Sequence, residues 1–316
     1  MSAMPSRTTV PTQQAAASIH GVDHTQVNFA MPTLACDCHT HVFGPAAHYP
    51  WAEGRTYTPG DASIESLLAL QQVLGLGRVV IVHPSPYGSD NACTVDAVHA
   101  LGARARGVAV IDDATTEAGL RAMHAAGVRG VRLNLETGDV NDTVYAATEL
   151  ERIAAQVAPL GWHVQLYSNL AVVGALAPVI RALPCPLVVD HFCKVQANLG
   201  TEQPHFDTLL DLVRAGRVWV KLSAPHRIAS DPDSADVTAI ARALMAANPA
   251  RMLWGSDWPH PGARPGVPRR ADAIEAFNPI DDGRALNRLA HWAQGDAALL
   301  QRILVDNPAA LYDFER

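Results

Sequence analysis

The chain has no cluster of lysine and arginine, and its formal net charge is −7 over 316 residues. A general nucleic-acid or anionic-membrane binder needs grouped cations to neutralise phosphates, so neither role is expected. Apolar runs of the roughly 18 to 20 residues that cross a bilayer are missing too. Cysteines are few, at five. An odd, scattered set fits a reducing compartment better than a disulfide framework. The first 32 residues are rich in Ala, Ser, Thr, Gln and Pro and lack the apolar core of a signal peptide, so they read as a flexible arm. A cytoplasmic location follows by default. What the chain does have is apolar content of 48%, enough to bury a large core.

From residue 33 to 316, short β-branched segments alternate with stretches of helical periodicity, the pattern of parallel βα units. Eight strands are expected, at residues 34–42, 78–83, 106–111, 128–135, 163–167, 186–191, 218–223 and 252–257. Between them, residues 63–74, 116–126, 146–160, 206–215 and 234–247 carry apolar side chains at helical spacing. Gly127, Gly161 and Gly216 stand where a left-handed helix cap precedes a strand. The expected fold is therefore an α/β (β/α)8 TIM barrel in a single domain. Catalytic groups of such a barrel gather at the C-terminal strand ends, where the βα loops form the mouth. Those ends carry His39 and His41, His83 and Ser85, Arg132, Tyr167, Asp190 and His191, Lys221 and Arg227, and Asp257 and His260.

Two motifs stand out. Cys36-Asp37-Cys38-His39-Thr40-His41 alternates along a strand, so Asp37, His39 and His41 should share one face and Cys36, Cys38 and Thr40 the other. The second is Trp254-Gly255-Ser256-Asp257-Trp258-Pro259-His260-Pro261. A His-x-His pair with a strand-end aspartate can bind a divalent metal, or clamp a polarised carbonyl beside a carboxylate base. Asp257 is the expected base. His260 is equally suited to orient Asp257 or to touch substrate.

With Tyr57-Thr58-Pro59, Gly127-Val128-Arg129-Gly130-Val131-Arg132, Val189-Asp190-His191 and Leu304-Val305-Asp306-Asn307-Pro308, these segments resemble the amidohydrolase superfamily. Within it, they are similar to the branch containing 2-pyrone-4,6-dicarboxylate lactonase and 4-sulfomuconolactone hydrolase. The resemblance spans Asp37 to the C-terminus. It implies hydrolysis of a small anionic lactone, with Asp257 activating water and His39, His41 and His191 around the carbonyl. It also implies Arg132, Arg227, Tyr57 and Tyr167 as substrate contacts, with Ser85 beside them. The superfamily's bridging lysine has no clear equivalent, because the fifth strand ends in Tyr167 and Lys221 lies inside the seventh. One Zn2+ on His39, His41, His191 and Asp257 is the expected cofactor, with metal-free action as the alternative.

One departure bears on substrate. Residues 133–151 lack the second arginine of the dicarboxylate lactonase and contain Glu136, Asp139 and Asp142 instead. A second substrate carboxylate should be repelled there unless a cation arrives from elsewhere, which favours a muconolactone-type or sulfonated lactone. The alternatives are a zinc-dependent decarboxylase of the same superfamily, the dicarboxylate lactonase itself, and a silent lactone- or carbohydrate-binding barrel.

Overall fold

A computed structural model describes residues 19–137, 141–263 and 268–315. Eight strands form one parallel sheet in chain order: β1 Cys36–Thr40, β2 Arg78–Val82, β3 Ala105–Ala109, β4 Val128–Asn134, β5 His163–Tyr167, β6 Leu187–Val189, β7 Val218–Ser223 and β8 Met252–Gly255. All eight expected strands are present. The expected ends match at β5 and β7 and elsewhere overrun by one or two residues where the chain has already turned into a loop. β2, Arg-Val-Val-Ile-Val, is buried along its whole length, as a strand covered on both faces must be.

The sheet closes on itself through the two motifs. Asp257 N–H donates to His39 O at 2.8 Å, and His41 N–H donates to Trp258 O at 2.8 Å. Closure therefore brings residues more than 200 positions apart into adjacent backbone. Helices pack outside, started by local caps: Ser63 accepts from Ser66 N–H, Thr116 from Gly119 N–H, and Ser234 from Val237 N–H. Gly161 and Gly216 take left-handed φ of 70° and 71° at the turns into β5 and β7, as expected, and Gly127 has φ 104°.

The floor of the barrel is plugged by the chain's own C-terminal segment. Tyr312 and Phe314 pack with Cys36, Cys38, Val80, Val108, Val188 and Leu253 inside the strands. Arg78 and Arg106, at the N-terminal strand ends, flank the Phe314 ring at 5.0 and 4.5 Å. At the opposite end, Thr58–Pro59 pairs with Ile274–Glu275, tying the loop after β1 to the loop after β8 across the mouth.

The expected arm divides. Residues 1–18 lie outside the described residues, while His24, Thr25 and Asn28 are docked on the helix Asp282–Trp292 and its N-terminal cap. Thr25 N–H donates to Asp281 at 2.9 Å, Asn28 N–H donates to Asn287 at 2.8 Å, and the His24 ring accepts from Asp282 N–H at 3.1 Å. The polar composition that suggests disorder here supplies hydrogen-bonding partners instead. Among the described residues no helix is long and apolar enough to cross a membrane.

Candidate active site

Strict alternation would put Asp37 beside His39 and His41, but the β1–β2 register shifts between Asp37 and Thr40. The irregularity re-aims side chains. Asp37 turns to accept from the N–H groups of His39 at 3.1 Å and Ser256 at 2.9 Å, bracing β1 against β8. Cys38 packs in the lower barrel, while His39 and His41 reach the mouth floor.

There, three imidazoles surround one oxygen. His39 Nε2, His41 Nε2 and His191 Nε2 each stand 3.6 Å from Asp257 Oδ1. Each ring is held from behind. His41 Nδ1 donates to Val82 O at 2.7 Å, which leaves the Nε2 lone pair facing Asp257. His191 Nδ1 is 2.8 Å from Ser223 Oγ, and His39 Nδ1 lies between Lys221 Nζ at 3.1 Å and Asp190 Oδ1 at 3.3 Å. Burial, reinforced for His39 by the Lys221 charge, pushes His39 down to about 3 and His191 well below the ordinary histidine range. Both rings are neutral at neutral pH.

Asp257 occupies a left-handed backbone position, φ 69°, over-determined by its bond to His39 and by His260 N–H donating to its carbonyl at 2.7 Å. Burial alone would raise its carboxyl. The Arg227 guanidinium, at 2.6 and 3.1 Å from Oδ2, together with the surrounding imidazoles, outweighs burial and holds it well below the usual carboxylate range.

A second cluster lies beneath. Asp190 is fully buried and bonded by Arg132 at 3.2 Å and Gln165 at 3.0 Å, with Lys221 Nζ at 3.5 Å. Lys221 also donates to Gln165 Oε1 at 2.6 Å. Burial would raise Asp190, but His39, Lys221 and Arg132 hold it well below its ordinary value. Asp190 and Ser223 stand among the polar strand-end groups of the sequence without a role assigned to them, and Gln165 is the member of the cluster that sequence reasoning misses. The available signal was their position on the inward face at the ends of β5 to β7.

Above the floor opens a cavity of about 820 Å³ lined by His41, Tyr57, Ser85, Arg132, Tyr167, His191, Arg227 and Asp257, among others. The structure thus brings together nearly all the expected residues. Arg132 and Arg227, expected on a substrate anion, are here bonded to Asp190 and Asp257. His260 turns away from the cavity, its Nε2 3.1 Å from Asp282, whose charge outweighs burial and raises the imidazole pKa. His83 is bonded to Thr94 and Gly88 O.

The expected acidity of residues 133–151 is largely spent. Asp142 caps the helix Thr143–Val157 and Glu136 pairs with Lys194 at 2.7 Å, while Asp139 lies outside the described residues. A cation does arrive from elsewhere. It comes on a turn in which His191, Phe192, Cys193 and Lys194 all have left-handed φ, from 48° to 57°. Such a run of non-glycine residues costs roughly 1–2 kcal/mol each.

The family assignment rests on the whole barrel. A family model described as amidohydrolase matches residues 36–314. The chain belongs to the amidohydrolase family. This amidohydrolase is 38% identical to the 2-pyrone-4,6-dicarboxylate hydrolase of Comamonas testosteroni, over 90% of its own length and 92% of the relative's. It is 39% identical to the 4-sulfomuconolactone hydrolase of Rhizobium radiobacter, again over 90% and 92%. A protein from Agrobacterium tumefaciens, solved in its apo form, superimposes with a TM-score of 0.75 at 29% identity, covering 92% of this chain and 99% of that one.

Neutral buried imidazoles make the amidohydrolase acid-sensitive. His39 and His163 are pushed down to about 3, and His83 and His226 to about 4, chiefly by burial. As pH falls through 6.5 the unfolded chain takes up protons that the folded chain refuses until about pH 4, so stability falls across that window. Asp37, pushed up to about 7 by burial, opposes this with one proton. Each unmatched proton is worth about 1.4 kcal/mol per pH unit. The thermal midpoint should drop from pH 7 to pH 5; equal midpoints would mean that these imidazoles charge inside the fold.

Proposed function

We propose that this amidohydrolase opens a small anionic lactone by adding water to its carbonyl. The observation that carries the reading is Asp257 Oδ1 at the cavity floor, ringed by three imidazole nitrogens and fixed as a carboxylate by Arg227. Asp257 takes a proton from the attacking water as its oxygen bonds to the carbonyl carbon. When the ring C–O bond breaks, Asp257 returns that proton to the leaving oxygen, and the new carboxylic acid releases its own proton to solvent. Arg132, Arg227, Tyr57, Tyr167 and Ser85 hold the substrate's anion and ring oxygen in register.

The floor also fits a divalent metal. His39 Nε2 and Asp257 Oδ1 are buried without a hydrogen-bond partner among the described residues, and with His41 they place ligand atoms within 4.8 Å of one another. One zinc ion held by His39, His41, His191 and Asp257 would supply carbonyl polarisation and a more acidic water.

The test is a panel of carboxylated and sulfonated lactones, run on metal-analysed protein with and without a chelator. We expect products that gain one water and keep every carbon, and about one equivalent of zinc that falls in His41→Ala. Carbon dioxide release would establish the decarboxylase reading. Full lactone turnover by protein carrying no metal would leave the imidazoles to act on the carbonyl alone.

A further inference from the structure

The chain contains only two lysines, Lys194 and Lys221, and every other fixed side-chain cation is arginine. Lys221 is sealed beneath the site, bonded to Gln165 and close to Asp190 and His39. Lys194 lines the cavity. It is carried there by the left-handed turn that starts at His191, and Phe192 anchors that turn, fully buried against Trp292 with ring centroids 5.5 Å apart. The same strained turn therefore sets a floor imidazole and a wall ammonium together.

Among the described residues, Lys194 has one carboxylate partner, Glu136, at 2.7 Å, and both side chains are about a quarter exposed. The other cations of the cavity are more firmly committed. Arg132 is bonded to Asp190 and Arg227 to Asp257, while Arg269 is bidentate on Glu275 at 2.6 and 2.8 Å with its face on Tyr57. An ammonium on a flexible stem can exchange one carboxylate for another at little cost, because an ion pair partly open to solvent is weak to begin with.

We propose that Lys194 recognises the second anionic group of the substrate, a carboxylate or a sulfonate, and that Glu136 is the counter-ion this group displaces. The inference rests on the lactone reading above. Glu136 keeps the wall neutral when the cavity holds no ligand. A doubly charged lactone replaces Glu136 on Lys194, whereas a singly charged one leaves the pair intact. Discrimination by charge number thus resides in the pairing of a β6-loop lysine with Glu136.

The test compares binding of three rigid probes by calorimetry: benzoate, isophthalate and 3-sulfobenzoate. Lys194→Met should weaken isophthalate and 3-sulfobenzoate by about tenfold or more and benzoate by less than about twofold, since a charge-assisted pair is lost only for the former. Loss for one probe alone would identify which second anion the site takes. Lys194→Arg should restore much of the difference, and Glu136→Gln should tighten the two dianions. Equal weakening of all three probes, or no change, would overturn the proposal. Because binding is read without turnover, a protein that opens no lactone would defeat the lactone reading and still leave the role of Lys194 decided by the probes. Thermal midpoints of the variants confirm folding.

Discussion

Asp257→Asn should lower kcat by about a thousandfold or more while leaving the affinity for unreacted lactone within about tenfold. The amide keeps the shape of the carboxylate and its contact with Arg227, but it cannot accept the water proton, and general-base catalysis is worth roughly 10² to 10⁴ in rate. The measurement is single-turnover ring opening together with equilibrium binding. Retention of more than a few per cent of the wild-type rate would remove Asp257 from the base role. Binding that fails along with turnover would instead make it a structural partner of Arg227.

Asp190→Asn should destabilise the protein by about 3 to 5 kcal/mol, the range for removing one member of a buried ionic group. Asp190 is the carboxylate that Arg132, Lys221 and Gln165 share, and both cations are buried. Without it the two positive charges are left in an apolar interior with no anion between them. Lys221, already held below its ordinary pKa by burial, relieves part of the cost by shedding its proton. The double variant Asp190→Asn with Lys221→Met should therefore recover a substantial fraction of the stability, a coupling that denaturant unfolding of the four proteins measures. Additive losses would mean that the two residues do not share one network. Activity should fall in the single variant as well, since His39 Nδ1 loses the group 3.3 Å away that helps orient its ring.

Much of this protein is legible in one dimension. The short β-branched segments, the helical spacing between them and the glycines at the turns specify eight βα units, because local sterics and burial act within each unit. The strand-end rule then names His39, His41, His191, Arg132, Tyr167 and Asp257 without any knowledge of contacts. What escapes is whatever depends on which residues meet. Alternation places Asp37 with the histidines, but a register shift in β1 sends it to the Ser256 backbone. Composition makes residues 19–32 part of a loose arm, yet their polar groups find Asp281 and Asn287 at the cap and on the face of the helix Asp282–Trp292.

Charge is the clearest case. A count of acids in residues 133–151 implies repulsion, but Coulomb interaction depends on distance in space, and Lys194 reaches Glu136 from 58 positions away. In the same way Arg132 and Arg227 read as free cations at a mouth, and only the closed barrel shows the carboxylates they already hold. The sequence by itself determined the elements, their order and the chemical identity of the groups at the mouth, since those follow from local propensity and periodicity. Tertiary structure alone decided the pairings, the burial that sets each protonation state and the convergence of three imidazoles on one carboxylate, because these are properties of distances that no local pattern contains.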